Sequence, residues 1–164
     1  MAGLLTLAII KPHAYMSKQS GKIITRIEEK GFGVVQSKIT QLQYQGGAEF
    51  YAEHKNKDFF PNLVMTMSSA PIWVLVLSKA NAVQEWRDAI GHTNPAEAAP
   101  GTFRSDFGDH KNITNNAVHG SATDHDAKRE INFFFSREIK MAQKLYEINE
   151  QTEEFKTKVR GVIK

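Results

Sequence analysis

Short apolar segments with the spacing of strands alternate along the chain with longer segments that repeat every three to four residues. The nearly continuous apolar run Leu4–Ile10 predicts a buried strand, which ends at Lys11-Pro12 because proline has no amide proton for a sheet ladder. The segments Val34–Leu42 and Ile72–Leu77 predict two further strands. The alternation indicates a domain of the α/β or α+β class.

Helices are predicted where apolar residues share one face. In the first of them, Ile23, Ile24 and Ile27 form that face, and Gly31 is a candidate C-cap. The segment Thr123–Asp126 is a plausible helix start, with acidic residues where the helix dipole favours them. The other predicted helices cover four segments: Ala48–Glu53, Pro61–Met67, Ala82–Ile90 and Ala127–Phe135.

Two segments depart from this alternation. Between Gly91 and Val118 the periodicity disappears, and a loop of that length in a compact domain is usually functional. Beyond Ser136, seven residues from Met141 to Val162 repeat at intervals of four and three, with one polar member, Thr152. We therefore expect a domain over residues 1–136 and a helical extension over 137–164 whose repeating face packs against another surface.

Composition excludes several classes of protein. The chain has 164 residues and no cysteine, so neither a disulfide framework nor a thiolate nucleophile is possible. Its 21 Lys and Arg against 18 Asp and Glu give a net charge of +3, which suits phosphate-bearing ligands without indicating nucleic acid. No apolar run approaches the ~18 residues of a membrane span, and no basic residue precedes the first apolar run as in a signal peptide. We expect a cytoplasmic protein.

Among six histidines, His119 differs in its surroundings. It ends the unpatterned segment and precedes a predicted helix that carries Glu130. An imidazole held beside a carboxylate is a reasonable phosphoryl acceptor. The two glycine-containing segments that resemble phosphate-binding loops, Gly21-Lys22 and 31–33, lack the residues that complete those motifs.

Separated motifs carry a family resemblance. They are Leu7–Pro12 (L-A-I-I-K-P), Gly91–Pro95 (G-H-T-N-P), Pro100–Asp106 (P-G-T-F-R-S-D) and Asn116–Ser121 (N-A-V-H-G-S). Together, and in this order, they resemble the nucleoside diphosphate kinases from about residue 5 to residue 135. The resemblance implies an α+β, ferredoxin-like fold in which helices cover a four-stranded antiparallel sheet.

The resemblance also implies an activity. Enzymes of this family transfer the γ-phosphate of a nucleoside triphosphate to a nucleoside diphosphate by a ping-pong mechanism, through a phosphohistidine that would form at His119. Glu130 would orient the imidazole directly or through Ser121. The family implies Mg²⁺ bound with the nucleotide, a homo-oligomer that is often a hexamer or tetramer, and neither a specific nucleic acid nor a membrane as partner.

The same resemblance assigns residues to the phosphates of the nucleotide. Lys11 and Tyr51 would reach the terminal phosphate, whereas Arg87, Thr93 and Arg104 would bind the inner phosphates. Phosphoryl transfer depends on positioning and charge neutralisation, so a cavity that holds cations and hydroxyls suits it.

The sugar and the base have their own assignments. Asn116, together with Lys11, would bind the sugar hydroxyls, and Phe59 would stack on the base, which tolerates any base because each has a π-face. The departures from the family include two that concern charge: His13 replaces an acidic residue, and Ala122 replaces an aspartate near which magnesium would bind. The sequence leaves open a catalytically impaired nucleotide-binding or partner-binding module of the same fold. An RNA-binding domain is a further alternative, but the aromatic-rich strand typical of one is not found.

Overall fold

One antiparallel sheet forms the centre of the molecule. The computed structural model describes the backbone of residues 3–162, and the side chains of that range except 142–143, 145–151 and 154–162. The strands it contains are β1 Leu5–Ile10, β2 Gly33–Thr40, β3 Ile72–Ser78 and β4 Val118–Gly120, in the order β2-β3-β1-β4. All neighbouring strands are antiparallel, which confirms the expected four-stranded α+β fold.

Helices lie between the strands and after the last one. Their bounds are α1 Pro12–Met16, α2 Ser20–Glu29, α3 Tyr44–Phe50, α4 Phe60–Ser68, α5 Ala82–Ile90, α6 Phe103–Phe107 and α7 Asp124–Val162, with a 3-10 turn at Ala52–His54. Within the described residues, no helix is long and apolar enough to cross a membrane.

The sequence predicted most of the helices but not all of them. The predicted helix Ala82–Ile90 is found with the same bounds, and Thr123 caps α7, accepting a hydrogen bond from the Asp126 amide at 3.1 Å. Two helices, α1 and α6, were missed. Each has five residues, too few for a 3.6-residue repeat to be visible, and α6 lies inside the segment that shows no periodicity.

The central strand β1 is buried on both faces. Ala8 and Ile10 belong to a core cluster with residues of α2 and α5, while Leu7 and Ile9, which alternate with them, are equally inaccessible to solvent. This explains why β1 is apolar without alternation. The edge strand β2, by contrast, is mostly exposed.

A tryptophan in α5 fixes the position of β4. The Trp86 ring packs between Phe32 and Phe103, with centroids at 5.6 and 4.9 Å, and its indole N–H donates to the His119 carbonyl at 3.1 Å. Gly120 permits this approach, because a Cβ there would lie 2.6 Å from Trp86 Cδ1. The backbone of β4 is therefore held by a buried aromatic cluster.

The chain divides into two compact units, Met1–Ile131 and Asn132–Lys164. The predicted helix beyond Ser136 is found, since α7 continues to Val162. Non-helical dihedrals occur at Phe135 (φ −123°, ψ 18°), where the predicted helix Ala127–Phe135 ends. In the repeating face, Met141 is 65% exposed and Thr152 is exposed in the single chain. The other five side chains of that face lie outside the described residues, and its packing stays a prediction.

Candidate active site

A cavity of about 460 Å³ lies where β1 ends and along β4. Nine of the ten residues predicted for the site line it: Lys11, Tyr51, Phe59, Arg87, Thr93, Arg104, Asn116, His119 and Glu130. The tenth, Ser121, is fully buried and contacts the cavity through Glu130. The structure therefore brings together residues that are separated by up to 119 positions in sequence.

The imidazole of His119 is held by a carboxylate and a hydroxyl. Its Nε2 lies 3.1 Å from Glu130 Oε2, and the Ser121 hydroxyl donates to the same oxygen at 2.6 Å. Ser121 Oγ in turn accepts a hydrogen bond from the Leu7 amide of β1 at 3.2 Å. Glu130 thus contacts the imidazole directly, while Ser121 ties that carboxylate to the central strand.

The Glu130 carboxyl stays ionised in spite of its burial. Burial by itself raises the pKa of this group, but the neighbouring His119 ring, the hydrogen bonds from His119 and Ser121, and the charge of Arg129 together hold the pKa below its usual value. An ionised carboxylate only accepts hydrogen bonds. The shared hydrogen therefore belongs to Nε2 of the imidazole, and in the neutral ring Nδ1 is the nitrogen that carries the lone pair.

A strained turn delivers two side chains to the cavity. Ala117 is fully buried at φ +67°, in the left-handed region, and its carbonyl accepts from the Lys11 amide at 2.9 Å. Left-handed backbone costs a residue with a Cβ roughly 1 kcal/mol or more. The turn allows Asn116 on one side of it and His119 on the other to line the same cavity.

Aromatic rings enclose His119. The Phe50 and Tyr51 rings meet the imidazole edge to face, with centroids at 5.5 and 5.9 Å. The Tyr51 hydroxyl is buried and has no hydrogen-bond partner among the described residues. Burial, followed by the charge of Glu130, raises the pKa of this hydroxyl, so Tyr51 remains a protonated donor.

Two cations in the cavity, the buried Lys11 and the half-buried Arg104, have no carboxylate partner among the described residues. The Lys11 ammonium donates to the Thr114 carbonyl at 3.2 Å, and burial together with the charge of Arg104 lowers its pKa to about 7. The Arg104 guanidinium donates to the carbonyls of Gly91 and Val118 at 3.1 and 3.3 Å, and burial and Arg87 lower its pKa to about 10. Both cations are poorly compensated, which makes the cavity attractive to anions.

Asn116 and Thr93 are joined to each other. The Asn116 amide nitrogen donates to the Thr93 carbonyl at 2.9 Å, while its side-chain oxygen is buried and, within the described residues, unpartnered. Phe59 stands apart from this polar cluster, with 53% of its surface exposed and its ring 5.7 Å from that of His54. An exposed aromatic ring at a cavity offers a stacking surface.

Sequence reasoning missed several residues of the cavity. These are Glu53, His54, Leu63, Ile113, Thr114 and Gly120. Ile113 is the clearest omission, because this apolar side chain lies in a polar loop, is 54% exposed and lines the cavity. Of the two departures, Ala122 lines this cavity, whereas His13 lines a separate depression with Met16 and Met65.

Comparison with known proteins identifies the family. The family model described as nucleoside diphosphate kinase matches residues 5–139. The chain belongs to the nucleoside diphosphate kinase family. A relative of that name from Histophilus somni (strain 2336) is 50% identical over 131 residues, which are 80% of this chain and 92% of the relative. Another from Pasteurella multocida (strain Pm70) is 49% identical over 138 residues, 82% of this chain and 96% of the relative.

Solved structures of the family have the same fold. The nucleoside diphosphate kinase of Aquifex aeolicus superposes with a TM-score of 0.78 at 36% identity, covering 80% of this chain and 94% of that one. That of Halobacterium salinarum, solved in complex with CDP, gives 0.76 at 35% identity, covering 80% and 86%.

Family membership determines the class of reaction. This chain is a phosphotransferase that acts on nucleotides, and the expected fold is that of its relatives. The alternative of an RNA-binding domain has no support, and no comparison favours an impaired module. The relatives are matched over nearly their whole length, and the family match ends at residue 139, before most of the C-terminal extension.

Proposed function

We propose that His119 accepts the γ-phosphoryl group of a nucleoside triphosphate on Nδ1 and passes it to a nucleoside diphosphate. The observation that carries this proposal is the 3.1 Å hydrogen bond from Nε2 to Glu130, which leaves Nδ1 as the nucleophilic nitrogen. A bond forms between Nδ1 and phosphorus as the bond from phosphorus to the β-phosphate oxygen breaks, and the diphosphate leaves. The Nε2 proton stays where it is throughout.

The return step reverses the first. A terminal phosphate oxygen of the second diphosphate attacks phosphorus, the Nδ1–phosphorus bond breaks, and Nδ1 regains its lone pair. Glu130 stabilises the positive charge that the ring carries while it is phosphorylated. Because the carboxylate is already held by Ser121, little reorganisation is needed during the reaction.

Cations and donors of the cavity bind the phosphates. Lys11 and Tyr51 contact the transferring group, and Arg87, Thr93 and Arg104 contact the inner phosphates. The unpartnered Tyr51 hydroxyl and the uncompensated charges of Lys11 and Arg104 support these roles, since each gains a partner when phosphate binds. In the free protein, Arg104 donates to two backbone carbonyls, which hold its guanidinium beside the cavity.

Sugar and base lie at the less polar side of the cavity. Asn116 binds sugar hydroxyls together with Lys11, and the unpartnered Asn116 side-chain oxygen is the acceptor it offers. Phe59 stacks on the base, and Ile113 supplies a second apolar surface in the same cavity. Neither side chain has a hydrogen-bonding group, so all bases are accepted.

Mg²⁺ belongs to the substrate in this proposal. Within the part of the chain that the structure describes, no three His, Asp or Glu side chains group as metal ligands, and Glu130 is engaged by His119 and Ser121. Mg²⁺ in phosphoryl-transfer sites takes many of its ligands from substrate phosphates. The ion therefore enters with the nucleotide and neutralises phosphate charge, and we assign no protein ligand to it.

The remaining expectations are also part of this proposal. We propose a homo-oligomer, hexamer or tetramer, a cytoplasmic location where nucleotides are available, and a kinase domain over residues 1–136 with a helical extension over 137–164. The end of the family match at residue 139 supports the domain boundary. Sedimentation of the purified protein tests the oligomer, and cell fractionation tests the location.

A pulse and chase tests the central claim. The protein is incubated with γ-labelled ATP, freed of nucleotide, and chased with CDP. We expect a protein-bound label that is lost in acid, survives in alkali and moves to CTP. Replacing His119 with Ala should abolish label and turnover but retain nucleotide binding, whereas His125→Ala, at an exposed histidine of α7, should change neither.

Three results would contradict the proposal. An acid-stable label places the phosphoryl group on a hydroxyl such as that of Ser121. Near-normal turnover by the His119→Ala protein removes the histidine from the reaction. Nucleotide binding by the wild-type chain without label or transfer supports the impaired module.

A further inference from the structure

Arg129 lies next to the catalytic carboxylate but outside the cavity lining. Its Nη2 is 3.6 Å from Glu130 Oε1, the oxygen that contacts neither His119 nor Ser121. The two oxygens of the Glu130 carboxylate thus face different partners. The inner oxygen, Oε2, serves the imidazole, and the outer one, Oε1, faces a guanidinium.

Several contacts hold the guanidinium in this place. Its Nη1 donates to the Phe50 carbonyl at 3.3 Å, at the end of α3. Its Nη2 lies 3.5 Å from Glu53 Oε2 and 3.8 Å from Asp126 Oδ1. The guanidinium carbon is also 6.0 Å from the centre of the Phe50 ring, the same ring that packs against His119. Arg129 therefore connects α7, α3 and the 3-10 turn around Glu130.

We propose that Arg129 is a positioning residue, which keeps Glu130 charged and oriented toward His119 by pairing with the outer oxygen of its carboxylate. The inference rests on the proposed function and deepens it. The groups around Glu130 are His119 and Ser121 from β4 and the residue that follows it, Tyr51 from the end of α3, and Arg129 on its own helix. Of these, Arg129 alone is a permanent cation.

Charge balance explains why such a residue is needed. Glu130 is almost completely buried, and a buried carboxylate without a cation tends to take up a proton. A protonated Glu130 could not stabilise the positive ring of the phosphohistidine. Glu53 and Asp126 compete for the guanidinium, but both are more exposed than Glu130 and are therefore better stabilised by water.

A double-mutant cycle separates positioning from general structure. Replacing Arg129 with Met removes the charge and keeps an apolar stem to pack on Phe50. We expect the single-turnover rate of His119 phosphorylation to fall about 10- to 100-fold with the KM for nucleotide changed less than about threefold. In a Glu130→Gln background the same substitution should lower the rate less than about threefold, because its target is gone.

A second readout needs no activity. The Glu130 carboxyl is followed by ¹³C NMR as a function of pH in the nucleotide-free protein. The titration midpoint should rise in Arg129→Met and stay near the wild-type value in Arg129→Lys, which keeps the charge. The control is Lys128→Met, at the exposed neighbouring position of α7, which should alter neither rate nor midpoint.

The outcomes are decisive in either direction. An equal loss of rate in the wild-type and Glu130→Gln backgrounds, or an unchanged Glu130 midpoint in Arg129→Met, overturns the proposal. If Arg129→Met does not fold, Arg129→Gln is measured in the same two ways with the same expectations. Absence of phosphohistidine in the wild-type protein would contradict the proposed function alone, because the titration does not depend on it.

Discussion

The polar groups of the cavity fall into two sets, one paired within the protein and one without a strong partner. In the first set, the polar atoms are paired with protein partners in a chain from the imidazole of His119 through Glu130 and Ser121 to the Leu7 amide. In the second set, the Tyr51 hydroxyl, whose ring packs against the imidazole, is buried without a partner among the described residues, and the Lys11 ammonium has only a carbonyl. We call these two sets of groups, wherever they lie in the cavity, the paired side and the open side.

The difference corresponds to two tasks. A nucleophile must be oriented before the substrate arrives, so its partners are supplied by the protein. A phosphate-binding group gains most when its partner is the phosphate, so the free protein leaves it incompletely paired at a cost in stability. Substitutions on the paired side should therefore reduce stability and rate together, whereas substitutions on the open side should reduce rate and binding without destabilising the fold.

Apart from loss of the His119 imidazole itself, the largest effect is expected on the open side, at Lys11. Replacing Lys11 with Met removes the cation that we propose contacts the transferring phosphate, and we expect kcat to fall about 10²- to 10³-fold. The thermal midpoint should stay the same or rise, because a poorly compensated buried charge is removed. Steady-state kinetics and thermal denaturation of the nucleotide-free protein measure both. A lowered midpoint would show that Lys11 belongs functionally to the paired side.

The pH dependence of stability should also differ between the sides. The pKa of Lys11 is about 7 in the folded protein and near 10.5 when unfolded, so the unfolded state binds more protons between these values. Below pH 7, the charged Lys11 therefore destabilises the folded state. This destabilisation disappears as the pH rises to about 10.5, and the free energy of unfolding increases by a few kcal/mol, at about 1.4 kcal/mol per pKa unit. Glu130, whose pKa is lowered, contributes stability above its usual pKa and loses it as the pH falls.

Urea unfolding across pH compares the two residues. In Lys11→Met, the increase in the free energy of unfolding above pH 7 should become smaller. In Glu130→Gln, the decrease in the free energy of unfolding at acid pH should become smaller. Identical curves for both variants would mean that the sides do not differ electrostatically.

On the paired side, Ser121→Ala should have an intermediate effect. The substitution leaves the buried Leu7 amide and one acceptor site of the Glu130 carboxylate without a partner, which costs about 1–3 kcal/mol of stability. We expect the rate of His119 phosphorylation to fall about tenfold, which corresponds to an increase of about 1.36 kcal/mol in the activation free energy. Chemical denaturation and single-turnover kinetics test this. A loss of rate without a loss of stability would contradict the assignment of Ser121 to the paired side.

Smaller effects are expected from the identity of the base. Phe59 offers area for stacking and no hydrogen-bonding group, so purine and pyrimidine nucleotides should differ little in kcat/KM. A preference above ~100-fold, worth about 2.7 kcal/mol, would require a specific base contact. Phe59→Ala should weaken the binding of all nucleotides to the same extent. Ile113→Ala, which truncates another apolar side chain of the same cavity, is the variant with which it is compared.

The smallest effect on the rate is expected from removing residues 137–164. We expect kcat to change less than about threefold, because none of the described residues that line the cavity lies in this segment. The melting temperature or the oligomer size should change if the repeating face from Met141 to Val162 is buried. Both staying the same would contradict the expected packing of that face.

Much of the fold follows from local pattern. The strands around Ile9 and Val74 are recognisable because buried strands are continuous runs of apolar residues, and α5 because its apolar face repeats. The missed helices, α1 and α6, are short and depend on contacts with the rest of the molecule. Their sequences therefore show no helical repeat from which they could be predicted. The candidate site was predictable as a set of residues through the family motifs, including Lys11 and His119.

By itself, the sequence determined three of the four strands, the longer helices, the absence of thiol chemistry and a set of residues proposed to bind phosphate. Only the tertiary structure decided which polar atoms are paired, because pairing depends on positions far apart in the chain. Ser121 reaches Leu7 across β1 and β4, and Arg129 reaches the end of α3. Burial, charge and hydrogen bonding act through space, and in the folded chain they leave the His119 imidazole paired and the Tyr51 hydroxyl without a partner among the described residues.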